Sequence, residues 1–255
     1  MVTQLNDELK ASRQQNVSIN YDALAREYAQ NRQGQPEVMR ALLATSRVDS
    51  ASAVLEVGCG TGNYIAAIKS ITNCRAWGFD PSAGMAAKAK STGIMLHVGQ
   101  AEMIGFRSRS FDLLFSVDVI HHVSKRLKYF QEACRVLKPG GKICTVTDSA
   151  WIIRHRQPLA TYFPETIEAE LNRYPRIAQL QTMMTQVGFR DITEETVEYR
   201  YQLTDINPYQ NKAFSALHVI PETAYQNGLE RMKKDLRAGF IPCVSRYVLL
   251  WGAKN

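Results

Sequence analysis

The run Val54-Leu-Glu-Val-Gly-Cys-Gly-Thr-Gly62 constrains this chain more than any other segment. An apolar stretch that ends in alternating glycines reads as a buried strand turning sharply into a helix. Gly58 and Gly60 permit backbone conformations closed to residues with a Cβ and let a ligand approach the chain, while Gly62 lets the helix start lie against the strand. Such a turn receives a nucleotide-like ligand, and the third glycine selects which one. A dinucleotide fingerprint requires G-x-G-x-x-G, whereas here the glycines fall at 58, 60 and 62 and Asn63 stands in the last place. Glu56 adds a carboxylate at the strand end, which suits a cation or a set of hydroxyls and repels a diphosphate.

Apolar runs alternate with helical patterns from Ala53 onward. Strands are predicted at Val54–Val57, Arg75–Phe79, Ile94–Val98, Phe111–Val117 and Lys142–Thr147, with helices around Thr61–Ile71, Ala83–Lys90 and Lys125–Leu137. This order implies an α/β fold with a parallel sheet covered by helices on both faces. Ligands of such sheets sit at the carboxyl ends of the strands. Lys138-Pro-Gly-Gly141 punctuates a helix end and has a structural role. After Asp148 the segment Trp151–Pro175 has no clear period and reads as a cap or loop. Arg176–Gln186 is predicted helical, Arg190–Tyr201 and Ser245–Gly252 are predicted strands, and an insertion, Leu203–Cys243, with a helix near Ala224–Leu236, separates them. The expected partition is an N-terminal helical lid (1–50), a ligand-binding core (51–150), a cap or loop insertion (151–175) and a C-terminal part of the core (176–255) that carries the insertion.

At 255 residues the chain suits one large α/β domain with insertions. No apolar stretch reaches the roughly 18 residues of a membrane span, and Met1–Asn16 is too polar for a signal peptide, so a cytoplasmic location is expected. The 5 cysteines, without a C-x-x-C pair, argue against a disulfide framework and against a zinc site, and no cluster of ligand spacing points to a metal. The formal charge of +7 makes an anionic partner conceivable. Its densest group, Lys125, Arg126, Lys128, Arg135, Lys138 and Lys142, surrounds one predicted helix and reads as a solvated face, so nucleic acid is disfavoured. The sequence leaves a homodimer open.

Five motifs together identify the chain as similar to class I S-adenosylmethionine (SAM) methyltransferases of the small-molecule group that includes the ubiquinone/menaquinone C-methyltransferases and the trans-aconitate methyltransferases. They are Leu-Glu-Val-Gly-Cys-Gly-Thr-Gly at 55–62, Gly-Phe-Asp-Pro-Ser at 78–82, Gly-Gln-Ala-Glu at 99–102, Phe-Asp-Leu-Leu-Phe-Ser at 111–116 and Val-Leu-Lys-Pro-Gly-Gly at 136–141. The resemblance covers roughly Tyr21–Gly141 strongly and the final strands weakly. It implies a Rossmann-like, seven-stranded, mostly parallel sheet whose last strand is antiparallel, a helical lid, SAM as cofactor and methyl transfer to a small molecule.

By that resemblance, Glu56, Gly58, Cys59, Gly60 and Gly62 form the cofactor turn, and Asp80, followed by Pro81, accepts from the ribose hydroxyls. Gln100, Ala101 and Glu102 read the adenine, although Gln100 stands where relatives often carry an acid; Met85 and Met103 are placed to pack on the purine. Ser116 and Val117 hold the methionine part, and Tyr28 and Arg32, on one face of a helix, reach its carboxylate. His121 and His122 follow the fourth strand, where either can serve as a base or as a hydrogen-bonding wall. Aromatic residues of the poorly matched segments, Trp151, Tyr162, Phe163, Tyr199, Tyr201, Tyr209 and Phe214, suit a ring or hydrocarbon acceptor or the core of a cap. Competing readings are RNA methylation, a non-catalytic SAM-binding protein and an NAD-dependent dehydrogenase, the last disfavoured by the glycine spacing.

Overall fold

The computed structural model describes residues 34–85 and 93–255. Seven strands form one sheet: β1 (Ala53–Val57), β2 (Arg75–Asp80), β3 (Met95–Val98), β4 (Phe111–Val117), β5 (Leu137–Thr147), β6 (Phe189–Leu203) and β7 (Ile241–Lys254). Their spatial order is β3-β2-β1-β4-β5-β7-β6. Pairing is parallel from β3 to β5, and β7 runs antiparallel to both β5 and β6. The order reverses between β1 and β4, which creates a crevice at their carboxyl ends.

Helices cover both faces. On one, α1 (Pro36–Ser46) and α2 (Asn63–Thr72) bury Leu42, Ile65 and Ile68 against Val54, Phe115 and Trp251. On the other, α3 (Arg126–Val136) and α7 (Ile177–Gln186) bury Phe130, Leu180 and Met184 against Leu55, Leu114 and Leu250. Burial on both faces explains why β1 is apolar almost throughout rather than alternating. The central strands were legible because their runs are continuous. The part of the expected lid that falls within the described residues, α1, is a core helix.

Two stretches depart from the predicted boundaries. Strand β5 starts at Leu137 rather than Lys142, because Leu137 pairs with Phe111 before the register shifts and Lys138-Pro-Gly-Gly bulges out. Gly141 has no room for a Cβ there, which would meet Lys138 O at 2.9 Å. The segment after Asp148 is helical, in three pieces: α4 (Ala150–His155), α5 (Leu159–Tyr162) and α6 (Thr166–Arg173). Each is too short for a visible period, and prolines separate them.

Strands β6 and β7 extend past the sheet. Val248 pairs with Thr147 at the end of β5, while Ile241–Tyr247 pair with β6 alone. This two-stranded ribbon projects from the carboxyl side and carries α8 (Asn207–Gln210), a 3-10 turn (Ser215–His218) and α9 (Glu222–Leu236). A separate apolar core joins these to α5: Tyr162, Phe163, Tyr209, Leu217, Tyr225 and Ile241. The two poorly matched sequence segments therefore build one cap. Among the described residues, no helix is long and apolar enough to cross a membrane, and no group of His, Cys, Asp and Glu is arranged to hold a metal ion.

Candidate functional site

The glycine turn lies at the carboxyl end of β1, inside the crevice. Gly58, Gly60 and Gly62 all have positive φ, at 71°, 52° and 78°. A Cβ on Gly58 would fall 2.2 Å from a methyl of Val119, in the loop after β4, so this position is restricted both by conformation and by space. The Gly58 and Cys59 amides donate to Phe79 O at 2.6 and 3.2 Å, which ties the turn to the end of β2. Cys59 is buried, and burial together with Glu56 and Asp80 pushes its thiol up, which leaves it unreactive.

Asp80 ends β2 and faces this turn. Its Oδ2 accepts from the Gly60 amide at 2.8 Å and its Oδ1 from the Ser82 amide at 2.9 Å. Pro81 is exposed beside it, and Ser82 Oγ accepts from the Met85 amide at 3.0 Å, starting the next helical turn. Glu56 is 2 % exposed and points beneath the turn, where Oε2 accepts from the Ile65 amide at 3.0 Å. Gly62, the N-cap of α2, has no side chain to satisfy that helix end, and Glu56 supplies the missing acceptor. Burial raises the Glu56 carboxyl well above its ordinary value, the nearby Asp80 adds to this, and the Ile65 hydrogen bond opposes it.

Gln100, Ala101 and Glu102 follow β3, but they separate. Gln100 is exposed, Ala101 packs against the core, and Glu102 turns to the start of α3, accepting from Ser124 Oγ at 3.0 Å and the Lys125 amide at 3.2 Å. Met85 is buried and Met103 is 75 % exposed. Ser116 is buried and accepts from the Tyr129 hydroxyl at 3.2 Å, and the neighbouring Val117 ends β4. His121 stacks on Tyr174 with ring centroids 4.0 Å apart, and the exposed His122 leans on it at 4.0 Å. Tyr28 and Arg32 lie outside the described residues.

A second cluster, absent from the sequence reading, closes the carboxyl ends of β4 and β5. Ser149 caps α4 through the Ile152 amide, and this short helix returns Arg156 to Asp148, with which it forms an ion pair. Arg156 also donates to Glu170 at 3.0 Å, and Arg173 reaches the other oxygen of Glu170 at 2.7 Å. Burial pushes the Asp148 carboxyl up to about 7; Arg156 opposes this, and Asp118 and Glu170 reinforce it. The available signal was positional, since Asp118 and Asp148 directly follow strands, as Asp80 ends one. Recesses of about 430 and 410 Å³ lie elsewhere, one against α3 and α7 and one beside α9 and the start of β7.

The basic residues around α3 are mostly engaged within the protein. Arg126 donates to Ile120 O and Arg173 O, Arg135 to Glu132, Ile104 O and Phe106 O, Lys138 to Asp112, and Lys142 to Thr45 O. Lys125 and Lys128 remain exposed.

Sheet order, glycine spacing and the acid ending β2 are those of a Rossmann-like methyltransferase domain that takes SAM as cofactor. Residues 55–145 match the methyltransferase domain family. The chain is 35 % identical over 95 residues to a probable tRNA methyltransferase 9B of Bos taurus, covering 36 % of this chain and 20 % of that protein. It is 27 % identical over 173 residues to a demethylmenaquinone methyltransferase of Shouchella clausii, covering 57 % and 74 %. The chain thus spans about a fifth of the tRNA methyltransferase 9B relatives it matches. A putative methyltransferase from an antibiotic biosynthesis pathway of Anabaena variabilis superposes with a TM-score of 0.67 at 21 % identity, covering 84 % of this chain and 96 % of that one, and so shares the fold.

Proposed function

We propose that the chain transfers a methyl group from SAM to an O, N or C atom of a small molecule. The observation that carries this reading is the glycine turn, with Gly60 locked to Asp80, opening toward a two-part cap on the same side of the sheet. The turn fits the cofactor: Gly58 keeps free the space a Cβ would fill, and Asp80 places a carboxylate, an acceptor suited to ribose hydroxyls, beside the Gly60 amide. In this reading Gly58, Cys59, Gly60, Gly62 and Asp80 hold the nucleoside, Gln100 and Ala101 border the adenine, and Ser116 and Val117 border the methionine part. Glu56 acts from below, through α2.

When bound, SAM supplies an electrophilic methyl on a sulfonium. The protein's contribution is to align the acceptor with that methyl and to exclude water. Tyr174 fixes the plane of His121, which forms a wall, and the exposed His122 is the member of the pair suited to exchange a proton with the acceptor. Core residues 51–150 carry the cofactor, while 151–175 and the insertion 203–243 select the acceptor.

Two observations favour a small molecule over RNA. Four of the six basic residues around α3 are bound internally, and similarity to the demethylmenaquinone methyltransferase extends over 74 % of that enzyme, whereas the tRNA methyltransferases match over 95 to 145 residues, 20–30 % of their length. Transfer to tRNA is the second reading, favoured by that shorter but higher identity. The test is incubation with methyl-labelled SAM and separate small-molecule and tRNA pools; label in the small-molecule pool supports the proposal, and label in tRNA alone replaces it.

A further inference from the structure

We propose that Arg126, at the start of α3, is a positioning residue: it sets where His121 and His122 stand and couples this pair to the cap. This rests on the reading of the two histidines as a border of the acceptor.

Arg126 is the first residue of α3 and is half-buried. Its guanidinium joins two separate segments: Nε donates to Ile120 O at 3.1 Å and Nη2 to Arg173 O at 3.2 Å. These carbonyls belong to the residues immediately before His121 and Tyr174, whose rings stack with centroids 4.0 Å apart and planes 19° from parallel. One planar fork therefore holds the backbone beneath both members of the stack. Arg173 O ends α6, where carbonyls lack intrahelical partners, and Ile120 O otherwise receives the Val123 amide at 3.3 Å. Among the described residues Arg126 forms no ion pair, so its bonds go to carbonyls that place a loop.

The same end of α6 reaches the cap. The Arg173 side chain donates to Ser215 Oγ at 3.3 Å, at the head of the 3-10 turn in the insertion, and to Glu170 at 2.7 Å. Glu170 accepts from Arg156 at 3.0 Å, and Arg156 lies over the Tyr174 ring at 5.6 Å from its centroid. Contacts thus run without a break from Ser215 through Arg173 and Arg126 to Ile120, and from there to His121 and the His122 that leans on it. A cap that shifts as it receives the acceptor moves the end of α6, and Arg126 carries that shift to the histidines. In-line methyl transfer tolerates little displacement, so the position of this pair is felt in the rate.

The test uses the full chain and carbon–proton correlation spectra of its 5 histidine rings, assigned by single substitutions. The face of Tyr174 shields His121 and shifts its ring signal upfield, and Tyr174→Leu, which removes that face, marks the unshifted position. Arg126→Ala should move the His121 signal at least halfway to that position. Arg126→Lys, whose donors radiate from one atom, should fall between, and Lys128→Ala, an exposed neighbour on α3, should leave the signal in place. In Arg126→Ala the rate of label transfer from methyl-labelled SAM to a small-molecule extract should fall about tenfold or more, with SAM affinity by calorimetry within about twofold of the wild type. An unchanged His121 signal overturns the inference and leaves Arg126 as an anchor of α3 alone; so does a moved signal with an unchanged rate. If Arg126→Ala does not fold, Arg126→Lys decides by the same readouts. Absence of label transfer by the wild type would overturn the proposed function, and the His121 signal would still decide whether Arg126 sets the stack.

Discussion

Glu56 carries a charge-bearing group into the core because the helix above it begins with a glycine. Its folded-state pKa lies above the ordinary 4.5, so the sign of its contribution is clear. The stability it confers is complete below the unfolded value and is lost as pH rises toward the folded value, where the buried carboxyl must ionise. Replacing Glu56 with Ala leaves the Ile65 amide without its acceptor, at a cost of about 1–3 kcal/mol at pH 5. The same substitution should cost less at pH 8, and Glu56→Gln should flatten the dependence; urea unfolding at both pH values measures this. Gly58→Ala forces a Cβ onto Val119 at positive φ, and SAM affinity by calorimetry should fall at least tenfold in a protein whose circular dichroism is unchanged. These two residues were legible in different degrees. The glycine could be read from spacing alone, because its conformational demand is local. The partner of Glu56 could not, because it depends on how α2 docks over β1. Glu102 departs for a similar reason: the start of α3 needs an acceptor and Glu102 is the acid within reach.

At the scale of elements, the parallel strands and the helices between them were legible from continuous apolar runs and the glycine and proline punctuation around them. The cap was not. Its helices are short, and their buried faces are set by residues far away in sequence, as where Phe163 on the first segment stacks between Tyr209 and Tyr225 of the second at 6.2 and 6.1 Å. Gly228 makes room for that ring, since a Cβ there would lie 2.3 Å from it. The cap core is separate from the two cores that flank the sheet. Phe163→Ala should therefore destabilise the cap by about 3–5 kcal/mol. Limited proteolysis should open 204–240 in this variant, while SAM affinity stays within twofold of the wild type; a parallel loss of SAM binding would show that cap and cofactor site fold as one unit.

Across the whole molecule, the proposed division between cofactor and acceptor roles follows the line at which the sequence similarity ends. The family match ends at residue 145, and Asp148, the cap helices and the projecting ribbon lie beyond it. The shared part holds the crevice between β1 and β4, the place we propose for the nucleoside, and the unshared part holds the segments we propose as the acceptor's walls. A net charge of +7 would suit a nucleic-acid partner, yet the basic residues around α3 clamp loops and strand ends. The most direct test is to incubate the purified protein with methyl-labelled SAM and an extract separated into small-molecule, protein and nucleic-acid fractions, and to count label in each. The account predicts label in the small-molecule fraction, dependent on Asp80. Label confined to nuclease-sensitive material would contradict it.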